Sequence, residues 1–131
     1  MTEATCKAAL ARLLRKSLVP RGGIVYRHED QFTGGIPDVS LSLDGFTVWA
    51  EVKLHRPGRK AKTTALQTAA LIALRGLLVE YAVHPRGRLT VVVRSTWSGR
   101  EVCLILCPSR AKDVHLVVAG VLISRLERRE W

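Results

Sequence analysis

The chain predicts an α/β fold, a central mixed sheet of about five strands flanked by helices, on three observations. Segments that alternate apolar and polar residues with period two recur along it. Helical periodicity marks a stretch at each end and one in the middle. Between two of the alternating runs stands Asp44-Gly45, the sequence signal for a two-residue hairpin turn. A length of 131 residues suits one domain spanning 1–131, large enough to bury roughly two thirds of the unfolded surface. The apolar fraction of 47% is ordinary for a globular protein and argues against disorder.

Thr2 is a fitting N-cap for a helix from Glu3 to Leu18, with apolar residues at Cys6, Leu10, Leu13, Leu14 and Leu18. Lys7, Arg15 and Lys16 fall on the other side, while Glu3, seven residues before Leu10, heads the inward stripe. An acid near a helix N-terminus is favourable in itself. Pro20-Arg21-Gly22-Gly23 ends the helix, and Ile24-Val25-Tyr26-Arg27 reads as a short strand. In the polar loop from His28 to Gly35, glycines permit close backbone approach, to a phosphate or simply within a turn.

The hairpin carries most of the information. With Leu43 opposite Phe46, pairing runs back through Ser42–Thr47, Leu41–Val48, Ser40–Trp49 and Val39–Ala50 to Asp38–Glu51. One face is then uniformly apolar, as burial requires. The other brings Asp38 against Glu51, with Lys53 two residues on and pointing the same way. A bulge at Pro37 is the feature that would slip this register. Two carboxylates about 5 Å apart repel by about 1 kcal/mol in water and by several in a partly buried site. A hard divalent cation, taking oxygen ligands, would neutralise them.

After Lys53 the basic segment His55-Arg56-Pro57-Gly58-Arg59-Lys60-Ala61-Lys62 leaves the same strand, placing Arg56, Arg59, Lys60 and Lys62 where they would meet a nucleic-acid backbone. His55, on the face of Glu51 and Lys53, is a further candidate for substrate contact. Thr64-Ala65-Leu66-Gln67 is a capping box opening a second helix, whose stripe runs Gln67, Leu71, Leu74, Leu78. An amide on a buried stripe needs a partner, which leaves Gln67 both a structural and a functional reading. Leu89 to Arg94 and Glu101 to Leu106 read as a second pair of strands. Arg110 to Arg129 reads as a last helix, although the run Val114 to Ile123 is apolar nearly all round and leaves a strand open. Such a surface suits burial by a second subunit, hence a homodimer. The basic tail ends at Trp131, which reads as exposed.

A net charge of +10 favours polyanions, and nucleic acid leads. Anionic lipid is disfavoured because no helix pairs a cationic face with bulky aromatics. Neither a signal peptide nor a membrane span is legible, so the expected location is cytoplasmic. Cys6, Cys103 and Cys107 have no framework spacing and read as reduced, buried apolar filler. His28, His84 and His115 have no partners at ligand spacing. The absence of a nucleophile elbow, a glycine-rich phosphate loop and His-Glu-x-x-His removes triad hydrolases, nucleotide-cofactor folds and zincins.

Pro37-Asp38 followed by Glu51-Val52-Lys53 resembles the PD-(D/E)XK nuclease signature. Gly35-Ile36-Pro37 and Thr64-Ala65-Leu66-Gln67 narrow the resemblance to the VRR-NUC branch, with Holliday junction resolvases sharing the core. The match covers roughly the first two thirds of the chain, and its specificity lies in the order and spacing of short motifs. The resemblance implies a restriction-endonuclease-like core and metal-dependent hydrolysis of DNA. It further implies Mg²⁺ or Mn²⁺ on Asp38, Glu51 and the Val52 carbonyl, Lys53 at the attacking water, Gln67 beside Lys53, and Glu3 leaning over the metal. The competing readings are a non-catalytic DNA-binding module and an interaction protein on the same fold.

Overall fold

The structure, a computed structural model, describes residues 1–28, 34–59 and 61–129. Helix α1 (Glu3–Leu18) opens with Thr2 Oγ1 accepting from the Thr5 N–H at 3.1 Å, and buries Cys6, Leu10, Ala11, Leu14 and Leu18. Gly22, at φ +82°, turns the chain into strand β1 (Ile24–Arg27). Strands β2 (Val39–Leu43) and β3 (Phe46–His55) form the expected hairpin, with Asp44 and Gly45 at φ 51° and 78°. Two successive positive φ values match the right-handed strand twist, so the turn itself sets the register. That register is the one read from the sequence, from Leu43–Phe46 back to Val39–Ala50.

Helix α2 (Ala65–Ala73) connects β3 to strand β4 (Leu77–Val83), which lies parallel to it with Val52 beside Val79. Here the sequence reading is corrected: residues 65–78 are not one helix, and Leu78 belongs to a strand. Leu74 is already 40% exposed, so the helical stripe ends at Leu71. Arg75 at φ 51° and Gly76 break the helix, and a Cβ on Gly76 would meet the Leu71 side chain at 2.7 Å. Strand β4 is buried on both faces at its start, the near-continuous apolar pattern of a strand with a parallel neighbour, which periodicity alone does not separate from a buried helix.

Strands β5 (Leu89–Ser95) and β6 (Glu101–Leu106) complete a six-stranded sheet in the order β1-β2-β3-β4-β5-β6, antiparallel except for β3–β4. Helix α3 (Val114–Arg128) follows a short 3-10 turn. It packs with α1 on one face, over Val39, Leu41, Val48, Ala50, Val52, Val79, Tyr81, Val91 and Val93. The opposite face carries Trp49, Glu51, Lys53 and His55 from β3, and α2 covers it through Leu71.

Cys6 is buried as expected, but Cys103 and Cys107 are exposed. They are not core filler, because β6 is an edge strand whose outward residues Cys103 and Ile105 lie beyond the reach of α2. Among the described residues no helix is long and apolar enough to cross a membrane. Lys60 and Trp131 lie outside the described residues.

Gly35 fixes how closely the chain before β2 approaches α2. Its φ is +95°, and a Cβ there would stand 3.0 Å from the Leu66 backbone. The close partner of this loop is therefore a helix N-terminus. Gly35→Ala should lower the unfolding free energy by about 1–3 kcal/mol, read as a lower urea midpoint at unchanged m-value.

Candidate active site

Strand β3 runs five residues past the point where β2 begins to pair with it, since the ladder stops at Val39–Ala50 and β3 continues to His55. Beyond Ala50 the backbone groups on the β2 side of β3 need other partners. Two carboxylates supply them. Asp38 Oδ2 accepts from the Val52 N–H at 2.8 Å, and Glu3 Oε1 accepts from the Leu54 N–H at 3.1 Å. Asp38 is thus not a ladder partner of Glu51, as a straight extension of the register had it. It sits in a bend after buried Pro37, and its side chain continues the hydrogen bonding where the backbone stops.

Glu51 comes from the adjacent position of β3 and is 2% exposed. Its Oε1 accepts from Gln67 Nε2 at 3.2 Å, while Lys53 Nζ stands 4.0 Å away from the same oxygen. Oε2 is buried, with no hydrogen-bond partner besides the neighbouring Asp38 carboxyl group. Burial, with the neighbouring negative charge of Asp38 second, pushes the Glu51 carboxyl up to about 8, and Lys53 and Lys7 pull it back only in part.

Gln67 serves twice. Its backbone N–H donates to Thr64 Oγ1 at 3.2 Å, and its Oε1 accepts from the Thr64 N–H at 3.0 Å, closing the capping box. The remaining amide N–H is what reaches Glu51. The two readings of Gln67 are therefore compatible.

Sequence reasoning missed Lys7. Helical periodicity put it on the solvent side of α1, but it is half-buried and its Nζ lies 2.9 Å from Asp38 Oδ1. The available signal was its spacing: four residues after Glu3, it shares that residue's helix face.

The structure brings together Glu3 and Lys7 from α1, Asp38 at the strand edge, and Glu51, Lys53 and Gln67 on the α2 face. Val52 contributes its main chain, since the N–H and C=O of one strand residue point to the same edge. Among the described residues no three Asp, Glu, His or Cys side chains are grouped closely enough to hold one ion jointly as they stand. The donors that would serve a cation are nonetheless hard oxygens, and one of them, Glu51 Oε2, is met only by the Asp38 carboxyl group.

The basic segment turns back at Pro57-Gly58, with Arg56 and Arg59 exchanging backbone hydrogen bonds at 2.9 Å. Arg56, Arg59 and Lys62 are exposed, and the Arg56 guanidinium donates to the Met1 carbonyl. His55 is occupied internally: Nδ1 accepts from the Ala61 N–H at 3.0 Å and Nε2 donates to Glu80 Oε2 at 2.8 Å. It ties the returning loop to the sheet. The rings of His28, His84 and His115 hydrogen-bond Ser40, Thr90 and Tyr81 respectively.

A carboxyl with a raised folded-state pKa holds its proton more tightly folded than unfolded. Between its ordinary value of 4.5 and about 8, Glu51 therefore makes stability fall as pH rises. In EDTA, the wild type should lose about 2–4 kcal/mol of unfolding free energy from pH 5 to 8 through this group. Glu51→Gln, neutral throughout, should flatten that slope and be the more stable form at pH 8, measured by urea unfolding at each pH.

Compared with known proteins, the chain matches no protein-family model and no curated sequence.

Proposed function

We propose that the chain is a metal-dependent endonuclease of PD-(D/E)XK type, VRR-NUC-like, hydrolysing DNA phosphodiester bonds in the cytoplasm. The observation that carries this reading is Glu51: a nearly inaccessible carboxyl group pressed against a second one, Asp38, at a strand edge. For stability alone this is a poor arrangement, because two carboxyl groups share a site in which only one ionises readily. A divalent cation removes the cost. The +10 net charge and exposed Arg56, Arg59 and Lys62 beside the same strand favour a polyanionic substrate.

Asp38, Glu51 and the Val52 carbonyl would hold Mg²⁺ or Mn²⁺, and Glu3 could join only by releasing the Leu54 N–H. When bound, the ion supplies Lewis acidity at the phosphoryl oxygen and a lowered pKa for a ligated water. Lys53, with its side chain 11% exposed, is held near Glu51 with little freedom to leave. Its ammonium orients the attacking water by hydrogen bonding and offsets negative charge developing on the phosphate. Gln67 holds Glu51 Oε1, which keeps that carboxylate from turning to Lys53 alone. The turn at Arg56–Arg59, anchored through His55, presents its cations to the DNA backbone. A resolvase form of the activity requires a two-fold dimer, for which Ile105 and Leu116, 73% and 61% exposed, offer apolar contact surface.

The test is cleavage of labelled single-stranded, duplex, flapped and four-way-junction DNA with Mg²⁺ or Mn²⁺. Lys53→Ala should cut at least about 100-fold more slowly while binding DNA within about threefold of wild type. A wild type that binds DNA and cuts none of these forms is a binding module and not a nuclease.

Metal linkage gives a separate check. Mg²⁺ should raise the melting temperature of the wild type but leave that of Asp38→Ala nearly unchanged, because an ion that binds only the folded state stabilises it.

A further inference from the structure

Both oxygens of Asp38 are engaged, but the two partners differ in what they lose on leaving. Oδ2 serves the Val52 N–H, and Val52 is 1% exposed, so breaking that bond strands a buried backbone donor. Oδ1 is held by Lys7, whose side chain is 26% exposed on the surface of α1 and has water to return to. The site's other lysine is not equivalent. Lys53 Nζ is 4.0 Å from Glu51 Oε1 with its side chain 11% exposed, a looser contact in a tighter enclosure. Of the contacts to Asp38, the Lys7 ion pair is the exchangeable one.

We propose that Lys7 is a positioning residue: it is the counter-ion of Asp38 in the metal-free protein, gives way at Oδ1 to a divalent cation, and then binds a phosphate oxygen of DNA. This inference rests on the metal-dependent reading above. The charge balance explains the exchange. Once a divalent ion neutralises Asp38 and Glu51, the Lys7 ammonium has lost its partner at the mouth of the site. The anion a substrate brings there is phosphate, and an ammonium is a point donor suited to it. Lys7 therefore opposes cation binding and promotes binding of DNA to the loaded protein, two effects of opposite sign from one side chain.

The experiment uses the full chain and Mn²⁺ as the probe. Calorimetric titration compares wild type, Lys7→Met, the exposed-helix control Lys16→Met, and Asp38→Asn. DNA affinity is then measured by fluorescence anisotropy in a Lys53→Ala background, where cleavage is silenced, with EDTA and with Mn²⁺. Lys7→Met should bind Mn²⁺ about fivefold more tightly, the worth of a half-exposed ion pair, with Lys16→Met unchanged. It should bind DNA as its parent does in EDTA and about fivefold more weakly with Mn²⁺. Lys7→Gln replaces it if the methionine variant melts below the assay temperature. Equal or weaker Mn²⁺ affinity in the Lys7 variant overturns the proposal, and so does a DNA deficit of the same size with and without Mn²⁺. Failure of the wild type, Lys7→Met and Asp38→Asn alike to bind Mn²⁺ overturns the metal-dependent reading itself, and this inference with it.

Discussion

Strand β3 is twice the length of β2, ten residues against five, and that mismatch organises the molecule around one edge. Strand β3 pairs with β2 over Phe46–Ala50 and with β4 over Ala50–His55, so the second half has backbone donors on its β2 side that face outward near the interior. Each such donor left unpaired costs about 1–3 kcal/mol. The Val52 and Leu54 N–H groups are satisfied by carboxylates that arrive from different directions, Asp38 along the chain leading into β2 and Glu3 from the first turn of α1. The path of the loop before β2, the placement of the first helix and the tight seat of Gly35 against Leu66 all serve this closure.

Carboxylates are not the least costly way to cap strand donors. A serine or asparagine could accept the same bonds without a charge. Using acids at Asp38 and Glu3, and burying Glu51 beside Asp38, gathers carboxyl groups inside a chain whose net charge is strongly positive. Lys7 and Lys53 offset part of their negative charge, from the half-exposed and the buried side respectively. Stability and the proposed chemistry therefore share the same side chains. The hydrogen bonds hold the sheet edge together, and the cation proposed for this edge would draw on the same oxygens.

The hairpin was legible because a period of two, a turn needing positive φ and an apolar face all specify one register, and each agrees with the others. From it the neighbourhood of Asp38, Glu51 and Lys53 followed. Less accessible was the manner of their meeting, since a ladder extrapolated through Pro37 puts Asp38 opposite Glu51, whereas the chain bends and the side chain takes the strand's place. Strand β4 was hidden by its own burial: Leu71, Leu74 and Leu78 fit a helical stripe as well as they fit a helix, a glycine break and a strand. The exposure of Cys103 and Cys107 depended on which face α2 reaches, a property of packing that no local pattern carries. Lys7 was passed over because amphipathic reading sorts a lysine outward by its type, while its position next to Glu3 on α1 points toward the acids.

The contact between Glu3 and the Leu54 N–H joins residues 51 apart in the chain, and β4 can pair with β3 only after α2 has carried the chain across. A hairpin such as β2–β3 closes in about 1–10 μs, whereas pairing over long separations must first meet the entropy of closing a long loop. Of the acids, Asp38 and Glu51 come together locally through the hairpin, whereas Glu3 must close the longest separation. The full set of acids is in place only when the first helix has docked on the sheet edge. The proposed metal site is therefore complete only in the fully folded chain.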